Sequence, residues 1–215
     1  MSQQKPSSAR DLVEIVLGFG IILLAIWLPE RPQHIVTGIA LVLTLGVVLA
    51  RERDPQELGL GFRGLRTSFW ILPAAVVLAA VSTLVAKQIG TLHPLFKGDA
   101  AHIAGYVVWT LYQQFLLNNY FMPRLIRVLG GETAAVSVSA VLFAAAHLPN
   151  LWLTVATVVW GAVSCLLFRR YRNLYALGLA QGLLGLCFAV CIPDSIHHHL
   201  RVGLGYLRYM ITLDF

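Results

Sequence analysis

Apolar stretches long enough to cross a membrane follow one another along this chain of 215 residues. A transmembrane helix needs about 20 mostly apolar residues. Seven stretches approach that length, at about 12–28, 35–50, 68–89, 102–122, 133–149, 151–168 and 174–192. Hydrophobic residues make up 58% of the sequence and charged residues only 12%, against about 25% charged residues in soluble domains. We therefore predict an all-α membrane protein, a polytopic bundle of seven to eight transmembrane helices.

The chain has no polar linker long enough to separate domains, so we predict one helical membrane domain over residues 12–192. Residues 1–11 are polar and form a predicted cytoplasmic tail. Residues 193–215 form a C-terminal tail whose apolar part contains Arg208. We expect this tail to lie at the membrane interface or to form a short eighth span.

Lysine and arginine predict the orientation of the spans. With the N-terminus inside, the inner segments hold eleven of the 16 basic residues and the outer segments hold five, as the positive-inside rule requires. We expect an integral protein of the bacterial inner (plasma) membrane, with a cytoplasmic N-terminus and membrane lipid as a partner. The basic residues are scattered over short loops, so we expect no nucleic-acid partner.

A cluster of carboxamides interrupts the fourth apolar stretch. An unpaired carboxamide in hydrocarbon costs several kcal/mol, so the cluster must face a polar partner or a water-filled cavity. Its members are Gln113, Gln114, Asn118 and Asn119. Gln114 and Asn118 are four residues apart and therefore share one face of an α-helix, with Gln113 on its flank.

Two later apolar stretches each carry a further polar residue. His147 ends a stretch rich in alanine and serine, and Gln181 lies between Gly178 and Gly182 in the last stretch. Small residues let helices approach closely in lipid. We predict that His147 and Gln181 meet the carboxamides of the fourth stretch in one cavity near the middle of the membrane.

The spacing of these residues resembles that of a known family. Gln-Gln-x-x-x-Asn, from Gln113 to Asn118, is followed by Phe-x-x-x-His, from Phe143 to His147. This is similar to the CAAX-protease and bacteriocin-processing (CPBP or Abi) family of intramembrane endopeptidases, whose motifs are Glu-Glu-x-x-x-Arg, Phe-x-x-x-His and His-x-x-x-Asn/Ser. The resemblance covers roughly residues 55–190. It implies a helical membrane fold and cleavage of lipidated or membrane-embedded substrates.

The chain departs from the family pattern at the positions that carry the chemistry. The substituted positions are Gln113, Gln114, Asn118 and Gln181. The resemblance implies that a glutamate activates water for attack on a peptide bond, and a glutamine can orient water but cannot accept its proton. No acidic residue lies in the middle of a predicted span, and Glu14 is the nearest. His147 is then the remaining candidate acid or base, so the predicted catalytic set is His147 with the four substituted residues.

Three adjacent histidines, His197 to His199, follow the last apolar stretch. Successive helical residues point about 100° apart, so at most two of the three can serve one metal ion. His93 and His102 are predicted to lie at the same membrane face, which makes this face a candidate histidine-rich metal site. A tail that folds back would bring His197 and His199 towards His147. That set is our candidate for a divalent metal such as Zn²⁺.

Three functions remain open from the sequence. The first is a divergent intramembrane endopeptidase-family protein that acts on or binds lipidated or membrane-embedded substrates, with Gln113 and Gln114 in place of the glutamates. The second is a non-catalytic protein of the same fold that binds a lipid or a partner helix. The third is a histidine-based metal enzyme that acts on a lipid or isoprenoid.

Overall fold

The computed structural model describes residues 5–95 and 98–213, which form helices joined by short connections and contain no strand. The α-helices are α1 (Lys5–Trp27), α2 (Glu30–Arg51), α3 (Arg63–Ser68), α4 (Ile71–Ile89), α5 (Ala100–Phe115), α6 (Met122–Leu129), α7 (Glu132–Ala145), α8 (Leu151–Tyr171), α9 (Leu174–Cys191), α10 (Asp194–His197) and α11 (Gly203–Leu213). A π-helical segment, Leu116–Phe121, joins α5 to α6, and a short left-handed turn, His198–Leu200, follows α10. Residues 1–4, residues 96–97 and the last two residues of the predicted C-terminal tail lie outside the described residues.

Four helical segments in the described part of the chain are long and apolar enough to cross a membrane. They are Glu30–Arg51, Gly64–Ile89, Leu151–Tyr171 and Leu174–Cys191. Helix α7 is apolar but shorter. Large apolar side chains on these segments point outwards: Val77, Val81 and Leu84 of α4 are each more than half exposed, as expected for a surface that contacts lipid. The protein is therefore an all-α integral membrane protein.

The helices group into two compact units. Within the described residues, the first unit comprises the chain up to residue 53, residues 116–166 and the chain from residue 201. In this unit α1 packs against α2, α6 and α11, and α6 packs against α7. Gly18 lets α1 lie close to the π-helical segment, because a β-carbon at this position would lie 2.7 Å from Cζ of Tyr120.

The second unit comprises residues 54–115 and 167–200. Helix α9 is its centre and packs against both α4 and α5. Asn173 starts α9 as its N-cap, since its side chain accepts a hydrogen bond from the amide of Ala176 at 2.8 Å. Against α4, the buried thiols of Cys187 and Cys191 pack beside Thr83. These thiols serve as small apolar groups, as their positions in an apolar stretch predict.

Helices α5 and α9 cross where α9 has glycines. A β-carbon on Gly178 would lie 2.9 Å from Cα of Leu111, a backbone atom that cannot move alone. A β-carbon on Gly182 would lie 3.3 Å from Oγ1 of Thr110 and from a methyl group of Val107, both of which can give slightly. The crossing is therefore tightest at Gly178.

We expect Gly178→Ala to lower the free energy of unfolding by about 1–3 kcal/mol, because the added methyl group forces α5 and α9 apart. Gly182→Ala adds the same methyl group one turn along α9 and should destabilise less. Thermal unfolding of both variants in the same detergent measures the difference. Equal melting temperatures, or a lower one for Gly182→Ala, would contradict this description of the crossing.

Candidate functional site

Three glutamines of the second unit form a hydrogen-bonded chain. Nε2 of Gln114 donates to Oε1 of Gln181 at 2.5 Å, and Nε2 of Gln181 donates to Oε1 of Gln113 at 2.6 Å. Gln114 is fully buried, and the other two are partly buried. The structure thus brings together three of the five residues that the sequence analysis placed in one cavity.

The crossing of α5 and α9 positions this chain. One turn before Gln114, the hydroxyl of Thr110 donates to the carbonyl of Gly178 at 2.9 Å, which ties the two helices together. Because Gly178 has no side chain, α9 comes close enough for Gln181 to reach both glutamines of α5. The close contact of Thr110 and Leu111 with Gly178 therefore brings the three amides together, although none of these contact residues is chemically reactive.

The other two predicted site residues belong to the first unit. Asn118 is fully buried in the π-helical segment, and His147 is buried just beyond the end of α7. Nδ1 of His147 lies 2.7 Å from the carbonyl of Phe143, and the two rings pack edge to face. In a neutral ring this contact places the proton on Nδ1, so Nε2 is the acceptor. The convergence of Asn118 and His147 with the glutamines stays a prediction.

The π-helical segment changes how the first motif must be interpreted. The inference that residues four apart share a face assumes α-helical geometry, and this geometry ends at Phe115. All six residues from Leu116 to Phe121 are buried. Single π-helical turns are rare and occur frequently at functional sites, so the conformation agrees with a special role for this part of the chain.

Glu14, the acidic residue nearest to a predicted span interior, is occupied by arginines of the first unit. Its Oε2 accepts from Nε of Arg124 at 2.8 Å, and its Oε1 accepts from Arg51 at 2.6 Å and from Arg10 at 2.9 Å. Three guanidinium groups hold this carboxylate in its charged form. Glu14 is therefore an ion-pair partner and is poorly suited to accept a proton from water.

Asp11 extends the same ionic network. This carboxylate is buried and accepts from Arg51 and Arg127, each at 2.6 Å. We did not predict this network from the sequence, although the spacing of its charged residues contains a signal for it. Asp11 and Glu14 are three residues apart, as are Arg124 and Arg127, so each pair presents like charges on one helix face. Two such pairs of opposite sign are a pattern that favours helix pairing.

The histidines after α9 also form a cluster with defined geometry. Oδ1 of Asp194 lies 3.1 Å from Nε2 of His197 and 3.0 Å from Nδ1 of His199. The ring of His93 stacks on that of His197, with centroids 5.8 Å apart. Burial lowers the pKa of His197, and the carbonyl of Ile192 raises the pKa of His93. Because His147 belongs to the first unit, the predicted set of His147, His197 and His199 stays a prediction.

Comparison with known proteins agrees with the motif spacing. A model of the family described as type II CAAX prenyl endopeptidase Rce1-like matches residues 58–187. The chain belongs to this family. The match includes the glutamine chain and the Phe143 to His147 motif, and it ends before Asp194. No curated protein and no solved structure matches the chain.

In the second unit, the candidate site of this CAAX endopeptidase family member consists of neutral side chains. The glutamine chain offers donors and acceptors of hydrogen bonds but no group that takes a proton near neutral pH. Among the described residues, Asp11 and Glu14 are committed to arginines. The amides can therefore orient a peptide bond or a water molecule, and they cannot act as a general base.

Proposed function

We propose that this Rce1-like membrane protein binds lipidated or membrane-embedded peptides and does not cleave them by the carboxylate mechanism of its family. The observation that carries the proposal is the chain from Gln114 through Gln181 to Gln113. Glutamines have the size and polarity to contact a peptide bond as both donor and acceptor. They lack the basicity that hydrolysis by a glutamate requires.

Burying a chain of neutral amides costs less free energy than burying charged groups, and this difference supports a role of the chain in binding. Mutual hydrogen bonds satisfy the amides while the site is empty, so the neutral set avoids the large desolvation penalty of buried charges. A bound peptide can replace these bonds with bonds of similar strength to its own backbone. Specificity for a lipid-modified substrate then rests on the apolar surroundings of the site, which suit a prenyl chain.

We further propose the arrangement of the protein in the membrane. Seven helical segments cross the bilayer, which requires α1, the stretch at about 102–122 and α7 to join the four long apolar segments. Helix α11 is only 11 residues long, too short to span alone, and lies at the interface. The excess of basic residues in the segments assigned to the inside favours a cytoplasmic N-terminus in a bacterial inner membrane.

His147 supports a second candidate function, residual hydrolysis. Its Nδ1 contact with the Phe143 carbonyl fixes the ring and makes Nε2 the basic nitrogen. A histidine held in this way can take a proton from water without a carboxylate. In this alternative the amides position the scissile bond and His147 provides the base.

A binding and cleavage assay tests the proposal. We expect the purified protein in lipid nanodiscs to bind a fluorescent farnesylated peptide saturably and to bind the same peptide without its farnesyl group much more weakly. Mass spectrometry of the incubated peptide should show no cleavage product above the protein-free control.

The variant His147→Ala separates the two candidates. Product that forms with the unaltered chain and disappears in His147→Ala would replace the binding proposal with histidine-dependent hydrolysis. Absence of saturable binding would overturn the proposal, provided that the protein elutes as a single species in size-exclusion chromatography.

A further inference from the structure

The second unit contains a cluster of metal-ligand side chains that are distinct from the glutamines and lie, in part, beyond the family match. One ligand atom from each of His93, Asp194 and His197 lies within 4.8 Å of the other two. Two imidazoles and a carboxylate are a ligand set that zinc-class cations use when three protein ligands leave a fourth position open. We propose that His93, Asp194 and His197 bind one divalent cation of the zinc class. This proposal is independent of the proposed peptide binding.

The distances fit a site that closes around an ion. Tetrahedral ligands about 2.0–2.1 Å from zinc lie about 3.4 Å from one another. The three ligand atoms are at most 4.8 Å apart, so closure needs only small side-chain rotations. The rings of His93 and His197 are nearly parallel, with an interplanar angle of 13°.

The surroundings of His93 also favour a cation. Its Nε2 lies 2.8 Å from the carbonyl of Ile192, and its Nδ1 lies 3.1 Å from the carbonyl of Pro94. A neutral imidazole has one N–H group, so it can donate to only one of these carbonyls. The lone pair of the other nitrogen then faces a carbonyl oxygen, and a cation bound to that nitrogen would remove this unfavourable contact. Metal-bound histidines commonly donate their second nitrogen to a backbone carbonyl in this way.

The backbone after α10 makes an unusual turn that brings a further histidine close to the carboxylate of Asp194. His198, His199 and Leu200 have φ angles of 49°, 53° and 56°, a left-handed conformation that residues other than glycine adopt at a cost. Such strain concentrates at ligand-binding sites. The turn brings Nδ1 of His199 to 3.0 Å from Oδ1 of Asp194. His199 therefore lies beside the carboxylate and outside the set of three ligands.

An adjoining cavity provides room for the fourth ligand. It has a volume of about 220 Å³, and its lining includes Asp194, His197, His199, His102 and Tyr106. A water molecule takes up about 30 Å³, so a metal-bound water or a small oxygen ligand fits. The side chain of Asp194 is 41% exposed and that of His197 only 2%. The proposed site thus has a buried side and an open side.

Cobalt and zinc titrations of the full-length protein test this site. The protein is purified in detergent with an affinity tag that contains no histidine, stripped with a chelator and titrated with Co²⁺. We expect one equivalent to bind and give visible d–d absorption bands, which Zn²⁺ then removes. Asp194→Asn and His197→Gln should each weaken binding by at least about tenfold. Zn²⁺ should also raise the melting temperature of the unaltered chain and not that of Asp194→Asn.

His198→Asn is the matched control, because asparagine tolerates the left-handed backbone and position 198 is outside the proposed ligand set. We expect it to bind like the unaltered chain. No stoichiometric binding, binding that is unchanged in both ligand variants, or an equal loss in His198→Asn would overturn the proposal. The first two results would leave a cluster of aspartate–histidine contacts that binds no metal, and the third would indicate adventitious binding by the histidine run. Should His197→Gln fail to fold, the partly exposed Asp194→Asn decides the question.

Discussion

Replacing Glu14 by glutamine is expected to lower the free energy of unfolding by about 3–5 kcal/mol. Arg124 is only 2% exposed, and its Nε donates to Glu14 at 2.8 Å. Removing the negative charge leaves the buried guanidinium with neutral acceptors, including the carbonyl of Tyr120 at 2.7 Å. Breaking one side of a buried ion pair is far more costly than losing a surface pair, because the remaining charge stays desolvated.

Arg10→Ala provides the matched control at the same carboxylate. Arg10 also donates to Glu14, at 2.9 Å, but its side chain is 71% exposed. Its loss should cost about 0–1 kcal/mol. Unfolding by denaturing detergent, followed by circular dichroism, compares the two variants. If Glu14→Gln is as stable as Arg10→Ala, the network does not hold the first unit together.

Gln181→Leu is expected to weaken binding of the farnesylated peptide by about 10–100-fold. In the proposal, Gln181 exchanges its bonds to Gln114 and Gln113 for two bonds to the peptide backbone. Leucine can form neither, and each missing bond to the peptide contributes about 1 kcal/mol, where 1.4 kcal/mol is tenfold in affinity. Leucine has a similar size and stays apolar, so α9 should still pack against α5. The melting temperature should also fall, because Gln113 and Gln114 each lose a hydrogen bond, so affinity is measured on protein that elutes as a single species in size-exclusion chromatography.

Gln88→Leu makes the same substitution at an exposed position of α4. It should leave peptide affinity unchanged, and fluorescence anisotropy in nanodiscs measures both variants. Equal affinities of Gln181→Leu and the unaltered chain would remove the glutamine chain from the proposed site. A large fall with Gln88→Leu would show that added hydrophobicity, and not the lost amide, causes the change.

The sequence predicted the parts of this molecule that depend on local pattern. Apolar stretches predicted helices, and the motif spacing predicted the family, which the match over residues 58–187 confirms. It also indicated that Gln181 needs a polar partner, because an amide in hydrocarbon must find one. Four of the expected seven to eight spans correspond to helical segments of sufficient length, and the full number stays a prediction.

Features that arise from tertiary packing were not predictable in the same way. The network around Glu14 joins residues more than 100 positions apart, such as Arg124, and helical periodicity marks the two charged faces but does not determine that these faces meet. The left-handed turn at His198 to Leu200 has no glycine or asparagine to announce it. The π-helical segment is equally silent in sequence, because no glycine or proline marks it and the extra residue per turn is imposed by what surrounds it.

The π-helical segment also governs which changes of length the chain tolerates. A π turn contains one residue more than the α turn it replaces, so deleting one residue between Leu116 and Phe121 gives the helix a route back to regular α geometry. A deletion in a regular α-helix turns everything after it by about 100°, whereas a deletion within the π turn removes the residue that makes this turn longer. Arg124, which follows within the first unit, should then keep the direction in which it meets Glu14. A single-residue gap in relatives at this point is therefore expected to preserve the ionic network, and a gap of the same length between Asp11 and Glu14 is expected to break it.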